Sequence, residues 1–292
     1  MSSKGEMSSG LGSGILQGYK TGLGFSRMES GFKKGLLNGI RKHDKVQDPT
    51  AGIIGSKKPQ IVWFADYTNA SLTGTTLTTV YNLVNTSQNL TEASSVTYRR
   101  NGVFNNKAYL DFDSSADRIY TSTTYTGTKE LTLMMVVRLS NTSAGRVLFY
   151  RTSTTISDTI GDILVTSEGG TKIRVDFVGN PTSTSSIYET YDETLAGSWV
   201  ILTVKVRTYQ PTGPGSEMEI YLNGTLNMKP VTTTFGESTS NMPSTGMSFG
   251  NNSSATSAGS QIASAMVFNY WLNSSEQIRL ENFYRYYYGY RF

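Results

Sequence analysis

The chain has 292 residues, 26 Lys and Arg against 22 Asp and Glu, and no cysteine, which rules out disulfides, zinc thiolates and a cysteine nucleophile. No run of about 18 apolar residues is present to cross a bilayer as one helix, and no apolar stretch follows a basic start, so the sequence predicts no secretory leader. Residues 1–60 hold ten basic side chains against four acidic ones, and the remainder 16 against 18; the basicity belongs to the N-terminal segment and points it toward an anionic partner such as nucleic acid, lipid or an acidic protein surface.

Residues 1–44 read as an arm. Gly10, Gly14, Gly18 and Gly22 recur every four residues, as do Gly31, Gly35 and Gly39. Beside them Leu11, Ile15, Tyr19 and Leu23 keep the same step, and Phe25, Met28, Phe32, Leu36 and Ile40 continue in steps of three and four. The seven glycines cost an isolated helix on the order of 7 kcal/mol relative to Ala. Burial of the apolar stripe offsets this at roughly 1.5–3 kcal/mol per side chain, but a lone helix has nothing to bury it against. A glycine stripe also lets a second backbone approach closely. The expectation is an arm that orders on a partner, with Gly10, Gly14, Gly18, Gly22, Phe25, Met28, Phe32 and Leu36 as its contact set. A disordered tail and a membrane-surface peptide are the competing readings. The arm carries neither of the glycine-rich phosphate-binding spacings. Pro49, Gly52, Gly55 and Pro59 mark residues 45–60 as a linker.

From residue 61 to 292 the period changes to two, the signature of strands. In Leu131–Leu139 apolar residues occupy both faces, which predicts a strand covered on both sides. Ile173, Val175 and Phe177 alternate with Arg174 and Asp176. Val200, Leu202, Val204 and Val206 alternate with Trp199, Ile201, Thr203, Lys205 and Arg207. Met218, Ile220 and Leu222 alternate with Glu217, Glu219 and Tyr221, and that run meets Asn223-Gly224, the strongest short hairpin signal. Short strands between Ser/Thr/Gly/Asn-rich turns favour a sandwich or barrel. One helix is expected near the end, capped by Ser274 with Gln277 three residues on, buried through Leu280, Phe283, Tyr284 and Tyr287, and ended by Gly289.

Few residues carry chemistry. Glycan hydrolysis needs two carboxylates about 5–10 Å apart across a cleft. Glu217 and Glu219 share a face but lack a third acid, and they read as outward, solvated side chains. Glu189, Asp192 and Glu193 are irregularly spaced and read as a loop. Asp111, Asp113 and Asp117 offer several oxygens to a calcium ion, without the EF-hand spacing or its closing bidentate Glu; the expectation is no cofactor, with calcium at these residues as the open alternative. The single histidine, His43, sits in the arm, so the body holds no Ser-His-Asp site. Tyr284, Tyr286, Tyr287, Tyr288, Tyr290 and Phe292 could stack on sugars or bases; the helical stripe favours packing instead.

Three stretches carry a family resemblance. Ser198–Leu226 (SWVILTVKV…EMEIYLNGTL) resembles a Trp-led strand followed by one ending in Tyr-x-Asn-Gly. Ala108–Ser122 (AYLDFDSSADRIYTS) resembles an early strand with a small polar turn, and Gln261–Phe292 a terminal strand with a capped closing helix. In this order they resemble the concanavalin A-like jelly rolls, specifically the laminin G-like (LamG) modules of phage and bacterial proteins. The resemblance implies an all-β fold of two curved antiparallel sheets with a short C-terminal helix, and it implies no single activity. A Gly-rich arm ahead of such a sandwich resembles a phage virion protein. This implies a non-catalytic structural component, a capsid decoration, head fibre or tail fibre, assembled in the host cytoplasm and oligomeric in the particle. Its arm would dock onto other virion proteins, and its outward sandwich would meet host-surface glycan and no nucleic acid. A secreted or cell-surface lectin and a glycan-degrading enzyme of the same fold are the alternatives; the missing leader counts against the first and the missing acid triad against the second.

Overall fold

Ile61–Phe64 (β1) is buried at all four positions, and its backbone pairs antiparallel with Ser260–Phe268 (β18), Ile61 opposite Val267. This computed structural model describes residues 58–70, 77–85, 87–93, 96–114, 116–121, 124–139, 146–151, 161–168, 171–178, 186–190, 195–209, 216–232, 241–242, 246–250, 259–289 and 292. The arm, most of the linker, His43, Asp192, Glu193 and Tyr290 lie outside them.

After β1 come Thr68–Ala70 (β2), Leu77–Val80 (β3), Leu90–Ala93 (β4), Thr97–Val103 (β5), Lys107–Phe112 (β6) and Arg118–Thr121 (β7). Glu130–Leu139 (β8), Arg146–Arg151 (β9), Ile163–Glu168 (β10), Lys172–Phe177 (β11) and Ser186–Glu189 (β12) follow. Val200–Arg207 (β13), Glu217–Leu222 (β14), Thr225–Leu226 (β15), Lys229–Thr232 (β16), Met247–Gly250 (β17) and β18 complete the strands, and Ser274–Tyr288 is the helix α1. One sheet runs β15-β14-β13-β8-β18-β6-β5, with β1 joining the free stretch of β18 beside β6. The other runs β16-β12-β11-β10-β9-β17-β7-β4-β3-β2. Paired strands are antiparallel throughout, and the result is the two-sheet jelly-roll sandwich that the alternation predicts.

Strand β8 is the centre of the first sheet, between β13 and β18. Leu131, Leu133, Met135 and Val137 enter the core between the sheets, while Met134 and Val136 are buried on the opposite face. In β14 the inward Met218, Ile220 and Leu222 alternate with part-exposed Glu217, Glu219 and Tyr221. The hairpin to β15 turns on Asn223 at φ 52° and Gly224 at φ 86°, a conformation that glycine and asparagine adopt at least cost. The two sheets meet on aromatic rings: Trp63 of β1 packs edge-on to Phe249 of β17 at 5.5 Å, and Phe249 lies 5.2 Å from Phe149 of β9.

Helix α1 covers the outer face of the first sheet. Leu280, Phe283, Tyr284, Tyr287 and Tyr288 are buried there, each worth roughly 1.5–3 kcal/mol of apolar burial. Phe64 is ringed by Phe283, Tyr284 and Tyr287 at 5.8, 6.1 and 4.9 Å. Tyr288 Oη bonds Ser264 Oγ at 2.9 Å. The terminal tyrosines are therefore mostly interface, as the stripe predicts; Tyr286 is exposed. The cap differs by one residue from the expectation. Asn273, not Ser274, accepts from Glu276 N at 2.9 Å, and Glu276 Oε2 accepts from Asn273 N at 2.9 Å. Gln277 is buried instead and donates to Glu281 Oε1 at 2.9 Å. Helix α1 ends at Gly289, whose N–H reaches Arg285 O and Tyr286 O.

Candidate binding surface

The outer face of the first sheet carries a polar cluster beside the start of α1. Antiparallel register sets Lys205 between Thr132 and Glu219, and Arg207 between Glu130 and Glu217. Opposite charges directly across a ladder attract, and here they meet. Lys205 Nζ lies 2.6 Å from Glu219 Oε2; Arg207 Nε donates to Glu217 Oε2 at 2.7 Å, and Arg207 Nη2 pairs with the same oxygen. Glu217 and Glu219 thus point away from the core but are half-buried in ion pairs, a correction to their reading as solvated acids. The alternation located their face; only the pairing of β13 with β14 supplies the cations.

Trp271, in the turn from β18 into α1, lies over both cations. Its ring centroid is 5.0 Å from Lys205 Nζ and 4.3 Å from the Arg207 guanidinium carbon. Such contacts are worth about 0.5–2 kcal/mol each, more as water is excluded, and Lys205 is almost fully buried. The Trp271 backbone N–H donates to Glu130 Oε2 at 2.9 Å, and Tyr209 Oη to Glu130 Oε1 at 2.6 Å. Tyr221 Oη donates to Glu219 Oε2 at 2.9 Å. The hydrogen bond to Glu130 pushes the Tyr209 phenol up; burial, then Glu219, does the same to Tyr221. Trp271, Tyr209 and Tyr221 each remain partly exposed.

The acids of this cluster are committed to partners. A hydrolase needs one carboxyl free to donate a proton and another free to act on water or the sugar. Here both oxygens of Glu130 accept hydrogen bonds, and Glu217 and Glu219 are tied to cations. Trp271, Tyr209 and Tyr221 are partly exposed beside these fixed charges.

The aspartates named for calcium separate. Asp111, on β6, accepts from Gln261 Nε2 at 3.2 Å and from Arg99 Nε at 3.4 Å on the outer face of the first sheet. Asp113 is 3.9 Å from Arg99 Nη2. Asp117 is fully buried in the turn before β7, where its Oδ2 accepts from Ser114 N at 2.8 Å; burial pushes its carboxyl up. Among the described residues no three carboxylate or imidazole groups are assembled to hold a metal. The turn at 113–117 is what parts them, sending Asp111 to one sheet and Asp117 toward the other. Glu189 lies on β12, 3.8 Å from Lys172, and not in a loop: a four-residue strand with mixed residues gives too little alternation to read. The sequence reading also passed over Trp271, Tyr209 and Glu130. Their one available signal was the matching of Lys205 and Arg207 against Glu219 and Glu217 once the two strands are laid antiparallel.

No family model matches the sequence, and no curated protein matches it. Solved structures do. The binding domain of botulinum neurotoxin DC in complex with SialylT superposes with a TM-score of 0.52 at 13% identity, over 80% of this chain and 53% of that one. The same domain in complex with rat synaptotagmin II gives 0.51 at 14%, over 78% and 52%. A structure from botulinum neurotoxin type C, whose cell entry depends on interaction with two ganglioside molecules, gives 0.50 at 14%, over 80% and 52%. The chain spans about half the length of these structures. At such identities the likeness establishes the β-sandwich fold.

Proposed function

We propose that this chain is a non-catalytic glycan-binding component of a phage particle. Its arm, residues 1–44, docks onto other virion proteins during assembly in the host cytoplasm, and its sandwich faces outward toward host-surface glycan. The observation that carries the binding role is Trp271: a partly open indole held over Lys205 and Arg207, on a face where Glu217 and Glu219 are committed to those cations. Pyranose rings present C–H faces to such a surface and hydroxyls to its rim, and aromatic side chains with a polar edge suit that use. The solved binding domains that share the fold, with their sialyl and ganglioside ligands, support the same reading. The separate charge of residues 1–60 and their glycine and apolar stripes support the docking role.

A glycan array and host-cell retention assay with the full chain and Trp271→Ala tests this. The expected result is retention on host polysaccharide, weakened about tenfold or more by the substitution, with no release of reducing sugar by either protein. Release of reducing sugar, or equal retention by the variant, rejects the binding site; incorporation of a chain lacking residues 1–60 into purified particles at normal copy number rejects the docking role.

A further inference from the structure

A second cluster stands at the other end of β8, on the same outer face. Arg138, Gln261 and Asp111 lie side by side across β8, β18 and β6. Arg138 Nε donates to Gln261 Oε1 at 2.6 Å, and Gln261 Nε2 passes on to Asp111 Oδ1 at 3.2 Å. Neutral Gln261 therefore stands where a carboxylate would close an ion pair, and Arg138 makes none with the described residues. Its guanidinium carbon lies 4.9 Å from the Trp199 ring centroid and 5.5 Å from that of Tyr109. Those rings are themselves fixed. They meet edge-on at 5.4 Å, and Trp199 Nε1 donates to Gly102 O at 3.2 Å. Tyr109 packs so tightly on Gly102 that a Cβ there would fall 1.8 Å from its Cε1.

The result is a guanidinium lying over two adjoining rings and held at Nε by an amide. Its terminal Nη groups are claimed by no described residue, and they are not among the buried, unpartnered atoms. A planar fork of this kind reads an oxyanion through two parallel hydrogen bonds, and because it is already oriented, little entropy is lost on binding. The surroundings select among oxyanions. Asp111 and Asp113 lie two strands away, tied to Arg99, and their charge disfavours a dianion. We propose that Arg138 is the carboxylate-reading residue of a binding site for an acidic sugar, a sialic or uronic acid. The choice of a sugar as carrier rests on the glycan-binding reading above; the oxyanion chemistry does not.

The test is titration of the full chain with methyl glycosides of N-acetylneuraminate and glucuronate, followed by NMR of the arginine Nε–H signals. The methyl esters of both sugars and inorganic sulfate serve as controls. The expected result is a saturable shift of the Arg138 signal with the acids, at least about tenfold weaker for the esters. In Arg138→Gln and Arg138→Lys, each checked for an unchanged melting profile, acid binding is lost, because Lys keeps the charge but not the fork. No shift, an equal response to the esters, a response to sulfate alone, or undiminished acid binding in Arg138→Gln overturns the proposal. Host-glycan retention that depends on Trp271 and ignores Arg138 defeats this inference and leaves the broader reading standing. Acid-sugar binding at Arg138 without any retention on host glycan does the reverse.

Discussion

The hydroxyl of Tyr287, in the last turns of α1, donates a 2.6 Å hydrogen bond to Asp66 Oδ2, just beyond β1. Asp66 Oδ1 accepts from Ala108 N at 2.9 Å, and Lys107 Nζ lies 3.5 Å from Oδ2 and 4.0 Å from the Tyr287 ring centroid. One carboxylate thus joins the first strand, β6 and the closing helix. A hydrogen bond to a charged acceptor is worth about 1.5–3 kcal/mol. Tyr287→Phe keeps the ring packing on Phe64 and should lower unfolding free energy by about that amount in urea denaturation, with an unchanged m-value. A loss below about 0.5 kcal/mol would mean that water takes over the hydroxyl's place.

Gly102→Ala tests the tight seat of Tyr109. The added methyl collides with a ring wedged between Trp199 and the sheet, and relief requires shifting the ring or the β5 backbone. Overpacking of this kind costs about 1–3 kcal/mol. Thermal unfolding should shift down, and the emission of Trp199 should change, because its Nε1 bonds the same residue's carbonyl. A variant as stable as the parent would show that β5 yields freely at this point.

Glu281 predicts a pH dependence. It is almost fully buried under α1, and burial pushes its carboxyl above the ordinary value of 4.5, against the hydrogen bond from Gln277 and the nearby charges of Arg285 and Lys205. The folded state then holds a proton that the unfolded state has released. The stabilising contribution is complete below the unfolded pKa and is lost as pH rises through the raised folded value. Glu281→Gln keeps an amide beside Gln277 without a charge to bury. Its melting temperature should match the parent at about pH 4 and exceed it at about pH 7. A parent more stable than the variant at neutral pH would mean that pairing with Arg285 and Lys205 outweighs the burial.

The sequence disclosed what depends on neighbours along the chain. Alternation placed Met218, Ile220 and Leu222 inward, the doubly apolar Leu131–Leu139 run marked the most covered strand, and Asn223-Gly224 located a hairpin. The helix was legible from its stripe, but its start slipped by a residue. Asn273 and Ser274 are both competent caps, and each has a Glu or Gln three positions on, so local chemistry cannot choose; packing of Gln277 against Glu281 does. Strands β2 to β4 went unread because Thr and Asn give them little apolar contrast. The clusters on the outer face depend on pairings between distant strands. Arg138 meets Gln261 and Trp199 only because β8 is flanked by β18 and β13, and no window along the sequence contains all three.

The position of β18 also sets a timetable for biosynthesis. Ile61 and Trp63 emerge early but find their ladder partners, Val267 and Ala265, only near the end. At about 5–20 residues per second, β1 waits roughly 10–40 s for its partner, and β8 keeps one unpaired edge through much of that interval. Neither sheet order nor helix docking can be completed domain-first, as local folds are. A ribosome that stops before residue 260 therefore leaves a chain with an open, apolar central strand, the kind of edge that nascent-chain chaperones must shield.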